Sequence, residues 1–325
     1  MLAGCGSSGK SSSPDVPTVT PASASPSPPG PAAAPAGTVL PAPAGSRALV
    51  FDGGTVAVLD PAGTAVLRYG PGPFTAAPKT SPTPALTQLI GTGGSTFLGV
   101  GPKVIARIAA DGAVTSTPIA IDNPTSIAQT ADGHVLVGTA NGHVHVFDRE
   151  LKSGRDIGGF VGVDEITVSP EGADLPSEQV VVLDRAQSSV TPITIADGTL
   201  GPALRAGNGA TNATVDRYGR VLVADTRDNE FIGFFGSTLV MRFRYPVASG
   251  PYAVDYDDTH NLAWVSTTAN NEVVAYALSD GEPVARHRFP SVAQPDNIAV
   301  DDATGTVFVL SQRGELQVVP DAAQR

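Results

Sequence analysis

The chain has 325 residues, of which 36 are glycine and 29 proline, so one residue in five opposes regular helix. An interior glycine costs about 1 kcal/mol against alanine and a proline about 3, which excludes long helices; 41% apolar residues exclude wholesale disorder. A net charge of −11 argues against nucleic acid as a partner. What remains is a turn-rich, all-β protein.

The N-terminus carries the single cysteine, Cys5, so no intramolecular disulfide can form. The run Leu2-Ala3-Gly4-Cys5 resembles the lipobox of bacterial lipoproteins. That resemblance implies residues 1–5 as the remnant of a lipoprotein signal, an acylated Cys5 as membrane anchor, and a place outside the cytoplasm. Four lysines against sixteen arginines, with an alanine-rich start, resemble actinobacterial composition. Residues 6–46 hold Ser, Pro, Ala, Gly and Thr almost exclusively, with only Lys10 and Asp15 charged. Such a stretch buries too little apolar surface to offset its ordering entropy, and it reads as a disordered linker with a coil reach of roughly 35 Å. Residues 4–11 also match the G-x-x-x-x-G-K-[ST] pattern. No strand precedes them and no helix follows, so the backbone N–H cradle that binds phosphate is missing.

From residue 47 to the end one unit recurs. An apolar run ending in Asp or Gly is followed by a Val-rich run and then by further strand-sized runs. Clear copies are Ser126-Ile127-Ala128 with Val135-Leu136-Val137-Gly138, and Asn212-Ala213-Thr214-Val215-Asp216 with Val221-Leu222-Val223-Ala224-Asp225. Two more pair Tyr252-Ala253-Val254-Asp255 with Ala263-Trp264-Val265-Ser266, and Asn297-Ile298-Ala299-Val300-Asp301 with Val307-Phe308-Val309-Leu310. Starts fall near residues 48, 89, 126, 166, 212, 252 and 297, a period of about 41 residues. Four strands per period of 40–45 mark a β-propeller blade, so residues 47–325 read as a propeller of seven four-stranded blades, with six left open. The last copy has three runs. A closed ring leaves no edge exposed, so the missing outer strand is expected from Gly37-Thr38-Val39-Leu40.

The run from Trp264 to Tyr276, then Asp280-Gly281 and Gln294-Pro295-Asp296-Asn297-Ile298-Ala299-Val300-Asp301, resembles the YVTN repeat of bacterial surface propellers. The run Val221–Asp225 with residues 226–229 resembles the related NHL repeat. These likenesses imply fold and no particular activity.

Propeller ligands are expected where chain enters the innermost strands. The residues there are Asp122, Asn123, Asp164, Glu165, Asn208, Asn212, Tyr252, Asp296 and Asn297. Their hard oxygens suit Ca²⁺ or Mg²⁺. Glu165, Asn212 and Asp296 are similar to the metal-holding trio of gluconolactonase-like propellers, which would imply a metal-dependent lactonase. The competing explanation is that Asp and Asn begin strands because they satisfy turn backbone groups. His143 and His145 share one strand face without an evident third ligand. Arg242, Arg244, Arg286 and Arg288 alternate with apolar residues, as on outer strands. No G-x-S-x-G motif is present and the sole cysteine is taken by the anchor. The sequence therefore points to a monomeric, lipid-anchored module that binds a protein or envelope ligand without catalysis, with the lactonase as the alternative.

Overall fold

The computed structural model describes residues 17–28, 33–72 and 74–324. Cys5 and the phosphate-loop-like stretch lie outside them. Each repeat forms one antiparallel four-stranded sheet, and seven such sheets make up the fold. The innermost strands are Ala48–Asp52, Gln88–Gly91, Pro124–Gln129, Glu165–Val168, Ala210–Val215, Pro251–Asp257 and Pro295–Asp301, numbered here as the first strands of blades 1 to 7. Each begins within two residues of the start expected from the repeat.

The second strands explain why the chain needs a ring. Thr55–Leu59, Phe97–Gly101, Val135–Thr139, Val180–Asp184, Val221–Asp225, Leu262–Thr267 and Thr306–Ser311 are buried at every position. A strand buried on both faces reads as a continuous apolar run, and a lone sheet could cover neither face. Neighbouring blades supply the cover. Seven apolar clusters form among the described residues, one at each junction between consecutive blades, including blade 7 with blade 1. The outer strands are mostly exposed, as in Val240–Pro246 and Val284–Pro290.

Aspartates hold the turns after the first strands. Asp216 Oδ1 accepts the N–H groups of Tyr218 and Arg220 at 3.0 and 2.8 Å, and Asp257 Oδ1 accepts that of His260 at 2.8 Å. Asp301 Oδ1 does the same for Ala303 at 3.1 Å. A carboxylate satisfying turn N–H groups is the structural use of this residue type. Blade 4 departs from the pattern. Its outer edge is split into Thr199–Leu200 and Leu204–Arg205, both paired with Ser189–Thr194. Between them stand Gly201 and Pro202, and a proline has no N–H to give the ladder.

The ring closes as the three-run last repeat requires. Thr38–Pro41 pairs antiparallel with Glu315–Val319, with Thr38 opposite Val318 and Pro41 opposite Glu315. The buried side chain of Gln317 secures the junction. Its Nε2 donates to the carbonyls of Ala36 and Pro290, and its Oε1 accepts from Val292 N. The segment expected as a spacer over residues 6–46 thus enters the fold in its described part. Residues 17–28 also touch the disc, on the face where the first strands begin, through hydrogen bonds to blades 4 to 7.

Candidate functional site at the channel mouth

In an antiparallel blade the first strand begins, the second ends and the third begins at one face of the disc. That face carries the mouth of the central channel. A cavity of about 390 Å³ runs among the inner strands and is bounded by all seven. Its polar wall consists of Gln88, Ser126, Asp164, Glu165, Asn212, Thr214, Asp255, Asp296 and Asn297. No lysine, arginine or histidine is on it.

Of the residues expected at the mouth, Asp164, Glu165, Asn212, Asp296 and Asn297 line this cavity. Four do not. Asp122 sits on the surface, 3.2 Å from Lys103 Nζ. The Asn123 carbonyl accepts the Ala140 N–H at 3.0 Å. Asn208 Nδ2 donates to Asp228 Oδ2 at 2.9 Å, and Tyr252 offers its carbonyl to Asn212 Nδ2 at 3.0 Å. Asp122, Asn123 and Asn208 belong to connecting loops, and Tyr252, second in its strand, bonds the neighbouring blade through its carbonyl.

Asp255 is the acid missed by sequence reasoning, which took it for the end of its strand. The strand runs on to Asp257, and Asp257 caps the turn instead. Asp255 is left in mid-strand on the channel wall. The Asp-x-Asp spacing was the signal, since two acids at period two cannot both end one strand.

Two of the four wall carboxylates also join blades, and the other two bond within their own. Glu165 Oε2 of blade 4 accepts Ala213 N of blade 5 at 2.7 Å, and Asp255 Oδ2 of blade 6 accepts Val300 N of blade 7 at 3.0 Å. Asp164 Oδ2 accepts Arg185 N at 2.8 Å, and Asp296 Oδ2 accepts Gln312 Nε2 at 3.0 Å. Asp296 Oδ1 is buried with no hydrogen-bond partner. Enclosure in the ring removes water from these acids and pushes both Glu165 and Asp255 up to about 7. Desolvation likewise raises Asp164 and Asp296. Asp302, at the turn after the last inner strand, is raised to about 6 for the same reason.

A raised acid holds its proton longer in the folded chain than in the unfolded one. Its contribution to stability is complete below the unfolded value near 4 and is lost as pH rises through about 7. The melting temperature is therefore expected to fall by several degrees between pH 5 and pH 8. In the double variant Glu165→Gln, Asp255→Asn the fall should be markedly shallower, because the amides keep an acceptor oxygen and do not ionise. Parallel curves for the two proteins would refute the assignment.

The fit of a divalent ion to Glu165, Asn212 and Asp296 is mixed. Asp296 Oδ1 is free to ligate, whereas Glu165 Oε2 and the Asn212 amide already serve the backbone. Among the described His, Cys, Asp and Glu residues, only Asp225, Asp228 and Glu230 bring three ligand atoms within 4.8 Å of one another. Asp164, Glu165 and Asp296 do not converge in this way. The Asp225 group is in turn met by Arg244, which ion-pairs with Asp228 and Glu230.

The remaining candidates have structural roles. His143 and His145 do share a strand face, and both lie by Asp156, at 2.8 and 3.7 Å from its Oδ1. Burial lowers the His145 imidazole. Arg244 and Arg288 on the outer strands are paired with Glu230 and Glu272, and Arg242 covers the Phe235 ring at 5.6 Å. Two of the four arginines are thus neutralised by carboxylates of their own blades.

Solved structures confirm the architecture. The chain is similar to a streptogramin B lyase at TM-score 0.69 and 14% identity, over 87% of this chain and 96% of that one. It is similar to virginiamycin B lyase from Staphylococcus aureus at TM-score 0.68 and 13% identity, over 87% and 98%. Hydrazine synthase from Kuenenia stuttgartiensis matches at 0.69 and 12%, over 86% and 96%. At such identities the likeness shows the propeller fold alone. No protein-family model matches the sequence, and no curated protein is similar to it in sequence.

Proposed function

We propose that this chain is a lipid-anchored propeller outside the cytoplasm that binds a protein or envelope ligand at its channel mouth without catalysis. The observation that supports the reading is the composition of the wall. Asp164, Glu165, Asp255 and Asp296 stand on it with two asparagines, and no basic side chain opposes them. Such a site favours a ligand group that carries positive charge and several N–H donors, such as an ammonium group. Cation binding would also stabilise the ionised carboxylates that burial now disfavours.

The lyases that share the fold are enzymes, and a virginiamycin B lyase with one histidine replaced by alanine is described as catalytically inactive. All five histidines of this chain lie off the channel wall, which favours binding over that chemistry. The lactonase alternative draws on one observation, the unpartnered Asp296 Oδ1. In that reading Glu165, Asn212 and Asp296 would hold Ca²⁺ or Mg²⁺, and the ion would polarise a carbonyl.

Calorimetry with spermidine as the probe tests the mouth. Binding is expected at pH 8, with at least tenfold loss at pH 5 and in Asp296→Asn. Absence of binding at millimolar spermidine would overturn the reading. A rise in melting temperature with millimolar Ca²⁺ or Mg²⁺, absent in Asp296→Asn, would favour the alternative.

The anchor is tested separately, by palmitate labelling and by release of Cys5→Ala from membranes. Only eleven residues lie between Cys5 and Pro17, and Val19 just beyond bonds the mouth face through Ala186. Fully extended, they reach about 40 Å, so an anchored disc holds its mouth face within that distance of the bilayer.

A further inference from the structure

Residues 17–28 read Pro-Thr-Val-Thr-Pro-Ala-Ser-Ala-Ser-Pro-Ser-Pro, a segment with four prolines, no charge and mostly small side chains. The disc receives it with a series of specific contacts. Val19 N donates to the carbonyl of Ala186 at 2.7 Å. Arg227 donates to the carbonyl of Thr20, and Arg185 to that of Ala22. Gln294 then takes both sides of the chain, with Nε2 donating to Ser25 O at 3.1 Å and Oε1 accepting Ser27 N at 3.1 Å. Ser27 Oγ donates to the carbonyl of Thr268 at 2.9 Å and accepts from Gln294 N at 2.8 Å. Five main-chain groups of the segment are thus read by side chains and loops of blades 4 to 7.

The surface is also shaped for this occupant. Ala22 is 7% exposed, and a Cβ at Gly209 would come within 3.0 Å of its methyl group. Gly250 has φ +66°, and a Cβ there would run into the Ser25 hydroxyl. Asn271, almost wholly buried, aims Oδ1 at the Ser27 hydroxyl. Arg185 Nε and Asn271 Nδ2 are buried without partners of their own, which shows polar groups committed to this surface beyond what the segment satisfies. None of the segment lines the channel cavity.

We propose that this surface is a peptide-recognition site for extended, uncharged segments rich in proline, serine and alanine, and that residues 17–28 occupy it in cis as a resident ligand. Prolines pre-set the extended chain and reduce the entropy lost on docking, and main-chain hydrogen bonds give affinity while small pockets select side chains. A partner segment of the same chemistry binds only when the resident one lets go. The resident segment competes at the high effective concentration of a tethered group, on the order of millimolar. The proposal does not depend on what the channel binds or on the lipid anchor.

The test uses the full chain and a fluorescent peptide with the sequence of residues 17–28, followed by anisotropy. In the double variant Ala22→Glu, Ser27→Glu the resident segment should detach, and the peptide should bind in trans at least tenfold tighter than to the unmodified chain. Adding Arg227→Ala and Gln294→Leu should abolish that binding. A peptide carrying glutamate at the positions of Ala22 and Ser27 should not bind. Melting curves establish that the ring remains folded; if the double variant does not fold, Ser27→Asp alone serves, since it leaves the buried Ala22 in place. Equal peptide affinity for the unmodified and detached chains, or binding indifferent to Arg227 and Gln294, would overturn the proposal.

Discussion

Trp264→Ala is expected to destabilise the protein by about 3–5 kcal/mol, the range for deleting a large buried aromatic side chain. The indole is wholly buried at the junction of blades 6 and 7, with Val273, Val307 and Val309 in the same cluster. Its ring centroid lies 5.7 Å from Phe289 and 6.3 Å from His287. The cavity left by alanine cannot collapse easily, because its walls are strands held in two different sheets. At roughly 2–4 °C per kcal/mol, the melting temperature should fall by roughly 6–20 °C. Trp264→Phe should cost clearly less. It keeps most of the apolar volume and removes the indole N–H, which is buried without a partner. Urea unfolding followed by circular dichroism checks both, and equal effects of the two substitutions would contradict this account. As Trp264 is the only tryptophan, its fluorescence in the unmodified chain reports on this one junction.

Gly37→Val is expected to open the ring, with a loss of roughly 3 kcal/mol. Gly37 enters the closing strand at φ +72°, a region that costs an ordinary residue about 1–2 kcal/mol and a β-branched one more. A Cβ at this position would also run into the carbonyl oxygen of Val318, which is backbone and can move only by shifting the strand. The valine therefore displaces Thr38–Pro41 from its partner and leaves Glu315–Val319 as an uncovered edge. A drop in melting temperature of roughly 6–12 °C should result, with aggregation at concentrations where the unmodified chain stays dispersed. Val39→Thr, on the same strand but 40% exposed, is the control and should have little effect. A Gly37→Val protein that melts with the unmodified one would show that the strand is dispensable for closure.

The fold was legible because its cause is periodic. Val221–Asp225 and Leu262–Thr267 are apolar runs bounded by turn residues, and a blade must bury them on both faces. Recurrence of such runs every forty residues leaves few architectures, and the missing fourth run in the last repeat called for a strand from the other end of the chain. The site was legible only in part. Glu165, Asn212, Asp296 and Asn297 reach the channel from the first three residues of inner strands, and Asp164 from the position just before one. Asp122, Asn123 and Asn208 have the same residue types one or two positions before their strands, as Asp164 does, yet bond neighbouring loops and strands instead. Neither group could be told from the other without the tertiary structure. Asp255 was hidden for a related reason, as a strand two residues longer than its repeat suggested moved it from a turn to the wall.

The N-terminal segment marks the division most clearly. Its composition, almost all Ser, Pro, Ala, Gly and Thr, determines that it has no core of its own, and that much was readable from residue types alone. Whether such a chain is a free spacer depends on what surface it meets. Here Arg185, Arg227 and Gln294, drawn from loops of three different blades, converge on its backbone. Local sequence set the repeat, the strands and the turns, because period, branching and capping act over a few residues. Tertiary structure alone decided which acids share a channel and where residues 17–28 come to rest, because those positions depend on how seven separately encoded blades close on one another.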